Sequence, residues 1–337
     1  MKLRGVISGF GEVAAQGHLA GWLSRPGVGI VAVQDPLAER RHLALRLLKN
    51  VRVYDDLELM LTGESPDFVD IASPPALHRP AIMSALEAGA HVLCEKPLCL
   101  DLAEFDALVR AARRAGRVLM CVHNWKHSPS YRRALELCAS GRLGALTMLD
   151  IGRLRTRPAG ASGSWRAASA LGGGILIDHG WHVAYLMQSL MGGEAPIAVS
   201  AHLEAREDGG VEEVADLCVR FARGRLARSH LSWRASVRRT TASLYGERAA
   251  LEIEGDRIIL TEQGGRTEDL SVTDAPDDSY HSAWFSGVAE EFERAIAGGP
   301  DSPEAVRNTA EAITALRLIE AARESSARRG AEVELAR

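Results

Sequence analysis

The sequence predicts a two-domain α/β protein: an N-terminal doubly wound parallel sheet, followed by an α+β domain with a mostly antiparallel sheet. Two observations favour this fold class. As far as about residue 123, short apolar segments alternate with helical ones, as in a parallel sheet covered by helices. Beyond that point, strand-like segments follow one another and are joined by Gly- and Asp-containing turns. The length of 337 residues also favours more than one domain.

Composition and charge argue against several function classes. The chain is 46% hydrophobic and 25% charged, as in a globular protein. Its formal net charge of −4 argues against nucleic acid or an anionic membrane as the main partner. No apolar run approaches the ~20 residues of a membrane span. The five cysteines show no C-x-x-C pair, so we expect reduced thiols in a cytoplasmic protein without a metal site or disulfides.

The first strand leads directly into a glycine turn. The turn consists of Gly9, Phe10, Gly11, Glu12, Val13 and Ala14, and a helical segment follows it. This is the G-x-G-x-x-G/A pattern in the strand–turn–helix context that binds a dinucleotide. Gly9 permits the tight turn, and Gly11 has no Cβ to block a pyrophosphate placed at the helix N-terminus. Taken alone, the pattern also fits an ordinary strand–helix turn.

The second strand, residues 29–34, ends at Asp35. Asp35 follows the turn at close to the ~20-residue spacing expected for the carboxylate that binds the adenine-ribose diol. It also suits the N-cap of the next helix, and the two functions are compatible. A carboxylate here repels a 2′-phosphate, so NAD is expected rather than NADP. Arg40 and Arg41 follow closely and offer the alternative of receiving that phosphate.

Four more strands, at residues 51–53, 67–72, 91–94 and 118–123, complete a predicted six-stranded sheet. Ligands of such sheets bind at the carboxyl ends of the strands. The residues that follow these ends and are expected along this edge are Ser73, Pro74, Glu95, Lys96, His123 and Asn124.

The rest of the chain is divided by its changing pattern. A helix at residues 129–140 leads out of the first domain, and one helix, at about 175–191, interrupts the later strands. Residues 281–297 and 302–328 return to helical periodicity. We therefore expect a cofactor domain at 1–123, a substrate domain at 124–280 and C-terminal helices at 281–337 that pack back across both.

Lys96 is the first candidate catalytic residue. Pro97 disfavours helical geometry at the residue before it, which holds Lys96 extended at the strand end. A lysine fixed there can hydrogen-bond a substrate oxygen and stabilise the negative charge that develops during hydride transfer. A solvated surface lysine is the alternative.

Asp178 and His182 form the second candidate constellation. They follow the run Gly172-Gly173-Gly174 and are spaced i, i+4, on one face of the predicted helix. A histidine accepts a hydroxyl proton near neutral pH, and a carboxylate one turn away can orient it. A structural Asp–His pair is the alternative. A metal site is not expected, because no third and fourth ligands are evident.

Together these motifs resemble the glucose–fructose oxidoreductase / inositol dehydrogenase / rhizopine-catabolism (Gfo/Idh/MocA) family. The resemblance rests on the glycine turn, Asp35-Pro36, Ser73-Pro74-Pro75-x-x-His78, Glu95-Lys96-Pro97 and Asp178-x-x-x-His182, in that order. It implies an N-terminal Rossmann domain and a C-terminal domain with a large open sheet, through which members pair into dimers or tetramers. It also implies hydride exchange with a nicotinamide cofactor, with catalytic residues at Lys96, Asp178 and His182.

The expected contacts follow from these motifs. Cofactor contacts are expected at Gly9, Phe10, Gly11, Glu12, Val13, Asp35, Ser73, Pro74, His78, Glu95, Lys96 and Asn124. Substrate contacts are expected at Lys96, Asn124, Lys126, Arg153, Trp165, Asp178 and His182. Arg153, Arg155 and Arg157 alternate along one strand and would share one face. They could bind an anion of the substrate, and the alternative is an exposed or subunit-facing stripe that carries charge at the sheet edge. Trp165 is positioned to stack on a sugar ring.

The predicted activity is an NAD(P)-dependent dehydrogenase that acts on a secondary alcohol of a sugar, a sugar derivative or a cyclitol. Two alternatives stay open. One is a redox-neutral glycosidase that uses bound NAD, and the other is a non-catalytic NAD(H)-binding sensor.

Overall fold

The computed structural model describes residues 2–156, 165–168, 172–205, 210–274 and 280–335. The chain divides into two compact units. Unit 1 contains Met1–His127 and Asp277–Ala312, and unit 2 contains Ser128–Pro276 and Ile313–Arg337. Each unit therefore takes part of its structure from a C-terminal segment.

Unit 1 is built on a six-stranded parallel sheet. Its strands are β1 (Leu3–Ser8), β2 (Val28–Gln34), β3 (Arg52–Tyr54), β4 (Phe68–Ile71), β5 (His91–Cys94) and β6 (Leu119–Cys121). Their order across the sheet is β3-β2-β1-β4-β5-β6, which is the doubly wound topology. The central strands are apolar because helices cover both faces of such a sheet. The predicted N-terminal fold is confirmed.

The helices of unit 1 follow the strands in alternation. They are α1 (Leu19–Leu23), α2 (Ala38–Leu47), α3 (Leu57–Glu64), α4 (His78–Glu87) and α5 (Leu102–Ala115), with α8 (Ser282–Gly298) from the C-terminal segment. A π-helical segment, Val13–His18, precedes α1. Asp101 begins α5 by accepting a hydrogen bond from Glu104 N at 2.8 Å, and Gly116, at φ +63°, ends it.

Aromatic side chains join α8 to the sheet of unit 1. Trp22 lies 4.8 Å from Phe68 and 5.5 Å from Phe285, measured between ring centroids. Phe292 lies 5.6 Å from Phe68. All four side chains are at most 2% exposed. The hydrophobic core of unit 1 is therefore incomplete without the C-terminal helix.

Unit 2 is built on a nine-stranded sheet. Its strands are β7 (Leu146–Thr156), β8 (Ala198–Ala205), β9 (Glu212–Arg220), β10 (Leu226–Ser232), β11 (Arg234–Gly246), β12 (Ala249–Glu254), β13 (Arg257–Glu262), β14 (Thr267–Asp269) and β15 (Val333–Glu334). Their order is β14-β13-β12-β11-β7-β10-β9-β8-β15. The strands pair antiparallel except β7 and β10, which are parallel. The predicted large, mostly antiparallel sheet is confirmed.

The sheet of unit 2 has one buried face. Along β9, buried and partly exposed residues alternate from one end to the other. The helices of unit 2 are α6 (Pro129–Ala139) and α7 (Trp181–Leu190), and α9 (Pro303–Ala327) begins in unit 1 and ends in unit 2. Within the described residues, no helix combines the length and apolarity needed to cross a membrane.

Candidate active site

The glycine turn after β1 has the geometry that its sequence requires. Gly9 has φ +85°, and a Cβ at this position would lie 2.7 Å from Ser73 N, so no larger residue fits. A Cβ on Gly11 would have no heavy atom of the described residues within 4 Å. The backbone at Gly11 is therefore open to a ligand, next to the helix start where Ala15 N donates to Gly11 O at 3.0 Å.

The other turn residues have separate environments. Phe10 is completely buried in the core, whereas Val13 is half-buried and Glu12 is exposed. The Tyr280 hydroxyl donates a hydrogen bond to the Glu12 carboxylate. The Phe10 backbone, rather than its ring, faces the strand ends, because Phe10 N donates to Asp35 Oδ2 at 2.8 Å.

Asp35 is 7% exposed and ties the turn to the end of β2. Its Oδ1 accepts a second backbone hydrogen bond, from Leu37 N at 2.9 Å. Each carboxylate oxygen has a further lone pair, so Asp35 retains capacity for a ribose hydroxyl. Arg41 Nη1 donates to the backbone oxygens of Asp35 and Pro36, at 2.8 and 2.9 Å. Because Arg41 Nη1 already donates to these two carbonyls, it is less available to bind a 2′-phosphate.

His78 connects the ends of β4 and β5. It is completely buried, with Nε2 2.8 Å from Ser73 O and Nδ1 2.7 Å from Pro97 O. Burial lowers its pKa, so the ring is neutral near pH 7 and donates to one carbonyl at a time. His78 therefore acts on the site through Ser73 and the Lys96-Pro97 segment, whose connecting peptide bond is cis.

Two buried polar atoms at this edge have no hydrogen-bond partner among the described residues. They are Ser73 Oγ and Asn124 Oδ1. A buried polar atom without a partner is costly, and a bound ligand with polar groups would remove that cost. Pro74, beside Ser73, is exposed. Both orphaned atoms lie on residues predicted to contact the cofactor.

Glu95 belongs to a buried charge network that the sequence analysis did not identify. His18 Nε2 lies 3.0 Å from Glu95 Oε1, and its Nδ1 lies 3.0 Å from Asp70 Oδ2. Trp22 Nε1 donates to Asp70 Oδ2 at 2.7 Å. Burial alone would lower the pKa of His18, but the two carboxylates outweigh it and raise the pKa to about 10. His18 is thus a buried imidazolium at neutral pH.

This network reaches Lys96 through the other oxygen of Glu95. Lys96 N donates to Glu95 Oε2 at 3.0 Å, so the carboxylate joins His18 to the backbone of the candidate catalytic lysine. Burial would raise the pKa of Glu95, but His18 lowers it and keeps the carboxylate ionised. The Lys96 backbone is therefore held by a fixed negative charge.

Lys126 lies in a second buried charge cluster, in the short helical segment that follows β6. It is 7% exposed, and its Nζ lies 2.9 Å from Glu311 Oε2 and 3.2 Å from Glu291 Oε2. His123 Nδ1 lies 2.9 Å from the same Glu311 oxygen. Burial would raise the pKa of Glu311, but Lys126 and His123 lower it to about 2. This placement favours a structural role for Lys126 over the predicted substrate contact.

In unit 2, Asp178 and His182 lie where a π-helical segment joins α7. The segment is Leu176–Gly180, and Asp178 N donates to Gly174 O at 2.9 Å. Asp178 and His182 are each 5% exposed. Arg166 Nε lies 3.4 Å from Asp178 Oδ2, and His179 Nε2 lies 3.7 Å from the same oxygen. Asp178 is therefore surrounded by potential cations.

His182 has a hydrogen-bond partner one turn further along α7. Its Nδ1 lies 2.8 Å from the Tyr185 hydroxyl, and the two rings meet edge to face at 5.6 Å. Tyr185 is completely buried, so this contact restricts the rotation of the imidazole. The sequence carried a signal for it, since Tyr185 follows His182 at the helical spacing i, i+3.

Arg153 on β7 is only 7% exposed, and Arg155 is half-buried. Arg153 Nη1 donates to Thr240 Oγ1 on the neighbouring strand β11. The side chains of Arg153 and Arg155 are therefore not fully exposed to solvent. Arg157 and the side chain of Trp165 lie outside the described residues.

Comparisons with known proteins identify the family. The model described as "Oxidoreductase family, NAD-binding Rossmann fold" matches residues 3–123, and the "GFO/IDH/MocA C-terminal domain" matches residues 131–252. A D-xylose 1-dehydrogenase (NADP(+)) of Haloferax volcanii is 30% identical over 84% of this chain and 84% of its own length. The chain belongs to the Gfo/Idh/MocA family.

Other similar proteins have narrower or more distant matches. The D-glucoside 3-dehydrogenase of Escherichia coli is 30% identical over 59% of this chain, and the match spans 57% of that relative's length. A solved structure of levoglucosan dehydrogenase with NADH and levoglucosan has a TM-score of 0.87 at 22% identity, covering 100% of both chains. The latter likeness is one of fold.

The residues present fit the dinucleotide of the Gfo/Idh/MocA family. Its N-terminal domain is an NAD-binding Rossmann fold, which confirms the expected type of cofactor. The open backbone at Gly11, the Asp35 carboxylate and the orphaned Ser73 and Asn124 atoms supply the groups that such a ligand needs. Among the residues that the structure describes, no group of three or more His, Cys, Asp or Glu side chains is arranged to hold a metal ion.

Proposed function

We propose that this protein is an NAD-dependent dehydrogenase of a carbohydrate-like substrate. It would oxidise a secondary alcohol of a sugar, a sugar derivative (phosphorylated or nucleotide-linked forms included) or a cyclitol. One observation carries the proposal. This chain combines an open dinucleotide turn with Lys96, Asp178 and His182 in a member of an NAD-binding oxidoreductase family. Relatives named as sugar dehydrogenases support the substrate class.

Each candidate catalytic residue would have a separate role in the reaction. NAD, when bound, supplies the hydride acceptor. His182 would take the hydroxyl proton of the substrate on Nε2, and this requires the tautomer in which Nδ1–H donates to Tyr185 Oη. Asp178 would favour the imidazolium that results. Lys96, whose backbone is anchored on Glu95, would stabilise the developing negative charge on the substrate oxygen.

NAD is proposed over NADP because of the end of β2. Asp35 places a carboxylate near the adenine-ribose position, and Arg41 donates to the Asp35 and Pro36 carbonyls. The Haloferax relative is named for NADP, so both cofactors belong in the test.

The test is the NADH absorbance band of the purified protein, with either cofactor and a panel of sugars, sugar acids, sugar phosphates, nucleotide sugars and inositols. We expect the band to grow with NAD and one substrate class. Lys96→Ala and His182→Ala should lower kcat by about 100-fold or more, and His202→Ala, at an exposed position, should not. A flat trace with every substrate, despite NAD binding, would refute the dehydrogenase and favour a redox-neutral glycosidase or a sensor.

We also propose that copies of the chain associate through the open face of the nine-stranded sheet, as a dimer or tetramer. Support comes from the alternation of burial along β9. Every second side chain is only partly buried, so one face of this strand remains accessible to another copy of the chain. Light scattering of the purified protein would measure the mass, and a monomer would refute the proposal.

A cytoplasmic location is proposed from the thiols. All five cysteines are free, and Cys94, Cys99 and Cys121 are buried. Free thiols without disulfides suit a reducing compartment. Cell fractionation would test this proposal, and recovery in an oxidising compartment would contradict it.

A further inference from the structure

Three elements of unit 1 hold the imidazole of His18. Its Nδ1 lies 3.1 and 3.0 Å from the two carboxylate oxygens of Asp70 on β4, and its Nε2 lies 3.0 Å from Glu95 Oε1, just after β5. The Phe285 ring of α8 stacks on the imidazole, with 3.9 Å between the centroids and 14° between the planes. His18 itself is 2% exposed. The ring is therefore held at both nitrogens and on one face.

The charge on His18 strengthens its contact with Glu95. Burial lowers the pKa of His18, but the two carboxylates outweigh burial and raise it to about 10, so both ring nitrogens are donors at neutral pH. A hydrogen bond between an imidazolium and a carboxylate is stronger than one between neutral groups. The Asp70 side chain is completely buried, whereas that of Glu95 is 15% exposed. Glu95 is thus the carboxylate of this network that reaches the surface at the end of β5.

Glu95 connects His18 to the candidate catalytic lysine. One carboxylate oxygen accepts from His18, and the other accepts from Lys96 N at 3.0 Å. A glutamate without the first contact would rotate about its side-chain bonds and lose the second. With Oε1 held by the imidazolium, Oε2 is fixed as the acceptor for the lysine backbone.

His18 also belongs to the helical segment that contains part of the glycine turn. It is the last residue of the π-helical segment Val13–His18. The expected dinucleotide contacts lie at the first end of this segment, and the contact with Glu95 lies at the other. The placement of one short segment therefore affects both the cofactor turn and the Lys96 backbone.

We propose that His18 is a positioning residue of the reaction and acts on Lys96 through Glu95. The inference rests on the proposed dehydrogenase function and adds a residue to it. The imidazolium holds the Glu95 carboxylate, and the carboxylate holds the Lys96 backbone, so that the lysine is in place when negative charge develops on the substrate oxygen. This charge is greatest in the transition state, so a misplaced lysine slows turnover more than it weakens binding.

The first experiment measures kcat and KM of the wild type, His18→Gln and Glu95→Gln, with NAD and the sugar of the panel that yields most NADH. Both variants remove a charge of the network and keep an amide in its place. We expect each to lower kcat by roughly 10-fold or more and to change either KM by less than about 3-fold. Glu95 is the more exposed of the two, so Glu95→Gln provides the test if His18→Gln does not fold. An unchanged kcat, or a loss confined to KM, would overturn the proposal.

A Lys96→Ala background separates positioning from general destabilisation. Once the lysine side chain is absent, adding His18→Gln should change kcat by less than about 2-fold, because the two residues act as one unit. A further loss of roughly 10-fold in this background would give His18 a role independent of Lys96 and contradict the inference.

Glu64→Gln is the matched control for stability. Glu64 is another buried carboxylate of unit 1, and it lies 3.3 Å from Arg4 near the beginning of β1. Removing its charge should lower the Tm, as His18→Gln does, and leave kcat within about 2-fold of the wild type. If Glu64→Gln lowered kcat as much as His18→Gln, destabilisation alone would account for the loss and the proposal would fail.

Hydrogen exchange at the Lys96 amide gives a readout that needs no turnover. This N–H donates to Glu95, so NMR of the ligand-free protein measures how firmly the contact is held. Exchange should be roughly 10-fold faster in His18→Gln, and within about 3-fold of the wild type in Glu64→Gln. Equal rates in the wild type and His18→Gln would refute the positioning role. If no sugar yields NADH, the dehydrogenase fails, and this rate still decides whether His18 holds the Lys96 backbone.

Discussion

His18→Gln removes the cation from a buried pair of carboxylates. In the native protein, the His18 ring lies between Asp70 and Glu95, and their side chains are 0% and 15% exposed. Glutamine retains an amide donor but no charge, so the two carboxylates would lose the cation that lies between them. Breaking a buried ion pair from one side typically costs about 3–5 kcal/mol. The remaining amide donor suggests the lower end of this range, about 3 kcal/mol in the free energy of unfolding.

The pH dependence of this loss follows from the raised pKa. The pKa of His18 is about 10 in the folded protein, against the ordinary histidine value of 6.5 that applies to the unfolded chain. A group whose pKa is raised by folding stabilises the protein fully below the unfolded value and loses that contribution as pH rises through the folded value. The difference between wild type and variant should therefore be largest below about pH 6.5, decline as pH rises from there, and be small above about pH 10.

Urea denaturation followed by circular dichroism measures this difference. Wild type and His18→Gln are compared at about pH 8 and at about pH 10.5, so that titration of other groups affects both proteins alike. His42→Gln, on the exposed side of α2, is the control and should change stability by less than about 0.5 kcal/mol. A loss below about 1 kcal/mol at pH 8, or a loss that does not shrink at high pH, would refute the charged-histidine argument.

Three further predictions concern the turn, the imidazole and the sheet edge. Gly9→Ala should lower the free energy of unfolding by about 1–3 kcal/mol in urea denaturation, because Gly9 has a positive φ and a Cβ there would contact Ser73. Gly11→Ala should leave this free energy unchanged and weaken NAD binding by roughly 10-fold in a fluorescence titration. Equal effects of the two variants would contradict this. Tyr185→Phe should reduce kcat about 3- to 10-fold with little change in KM, since it removes one hydrogen bond to His182; an unchanged kcat would exclude the orienting role. Asn308→Ala should cost about 2 kcal/mol or more, measured in urea, because the amide donates to Cys121 O at 2.9 Å and accepts from Cys121 N at 2.8 Å. Asn308→Asp keeps the acceptor but places a carboxylate oxygen against the Cys121 carbonyl, so it should destabilise as well; a wild-type midpoint for either variant would contradict this reasoning.

The parallel sheet and its ligand-binding edge were predictable because their signals are local. Each strand is a short apolar run, and each functional residue at the edge directly follows such a run, as Asp35 and Ser73 do. The rule that parallel strands end at one edge then brings together residues that are distant in sequence. The Phe10–Asp35 and His78–Pro97 hydrogen bonds are direct examples.

The charged networks were not predictable, since their partners come from distant segments. Lys126 lies just beyond the end of β6, where sequence reasoning expects a substrate contact, but Glu291 and Glu311 follow it by 165 and 185 residues. His18 and Asp70 are separated by 52 residues. The signal that was present is Asp70 itself, a carboxylate within an otherwise apolar strand, which requires a buried partner.

The i, i+4 argument for Asp178 and His182 assumed a uniform α-helix. Asp178 instead lies in a π-helical segment, in which the hydrogen bonds span i to i+5. The wider turn shifts side chains around the helix by less than one residue position, so residues spaced i, i+4 still share a side, and no propensity scale signals such a segment.

The discontinuous make-up of unit 1 has a consequence for how the protein is made. Cys121 on the edge strand β6 receives its last hydrogen bonds from Asn308, 187 residues later, and Phe285 and Phe292 complete the core from α8. At ~5–20 residues per second, a ribosome needs roughly 10–40 seconds to pass from one to the other. During that interval the nascent sheet has an open edge and an uncovered apolar face, the state in which β-strands recruit foreign strands. The N-terminal part of this chain, Met1–His127, therefore depends on the last part of its own synthesis, and a truncated product would expose a surface suited to chaperones.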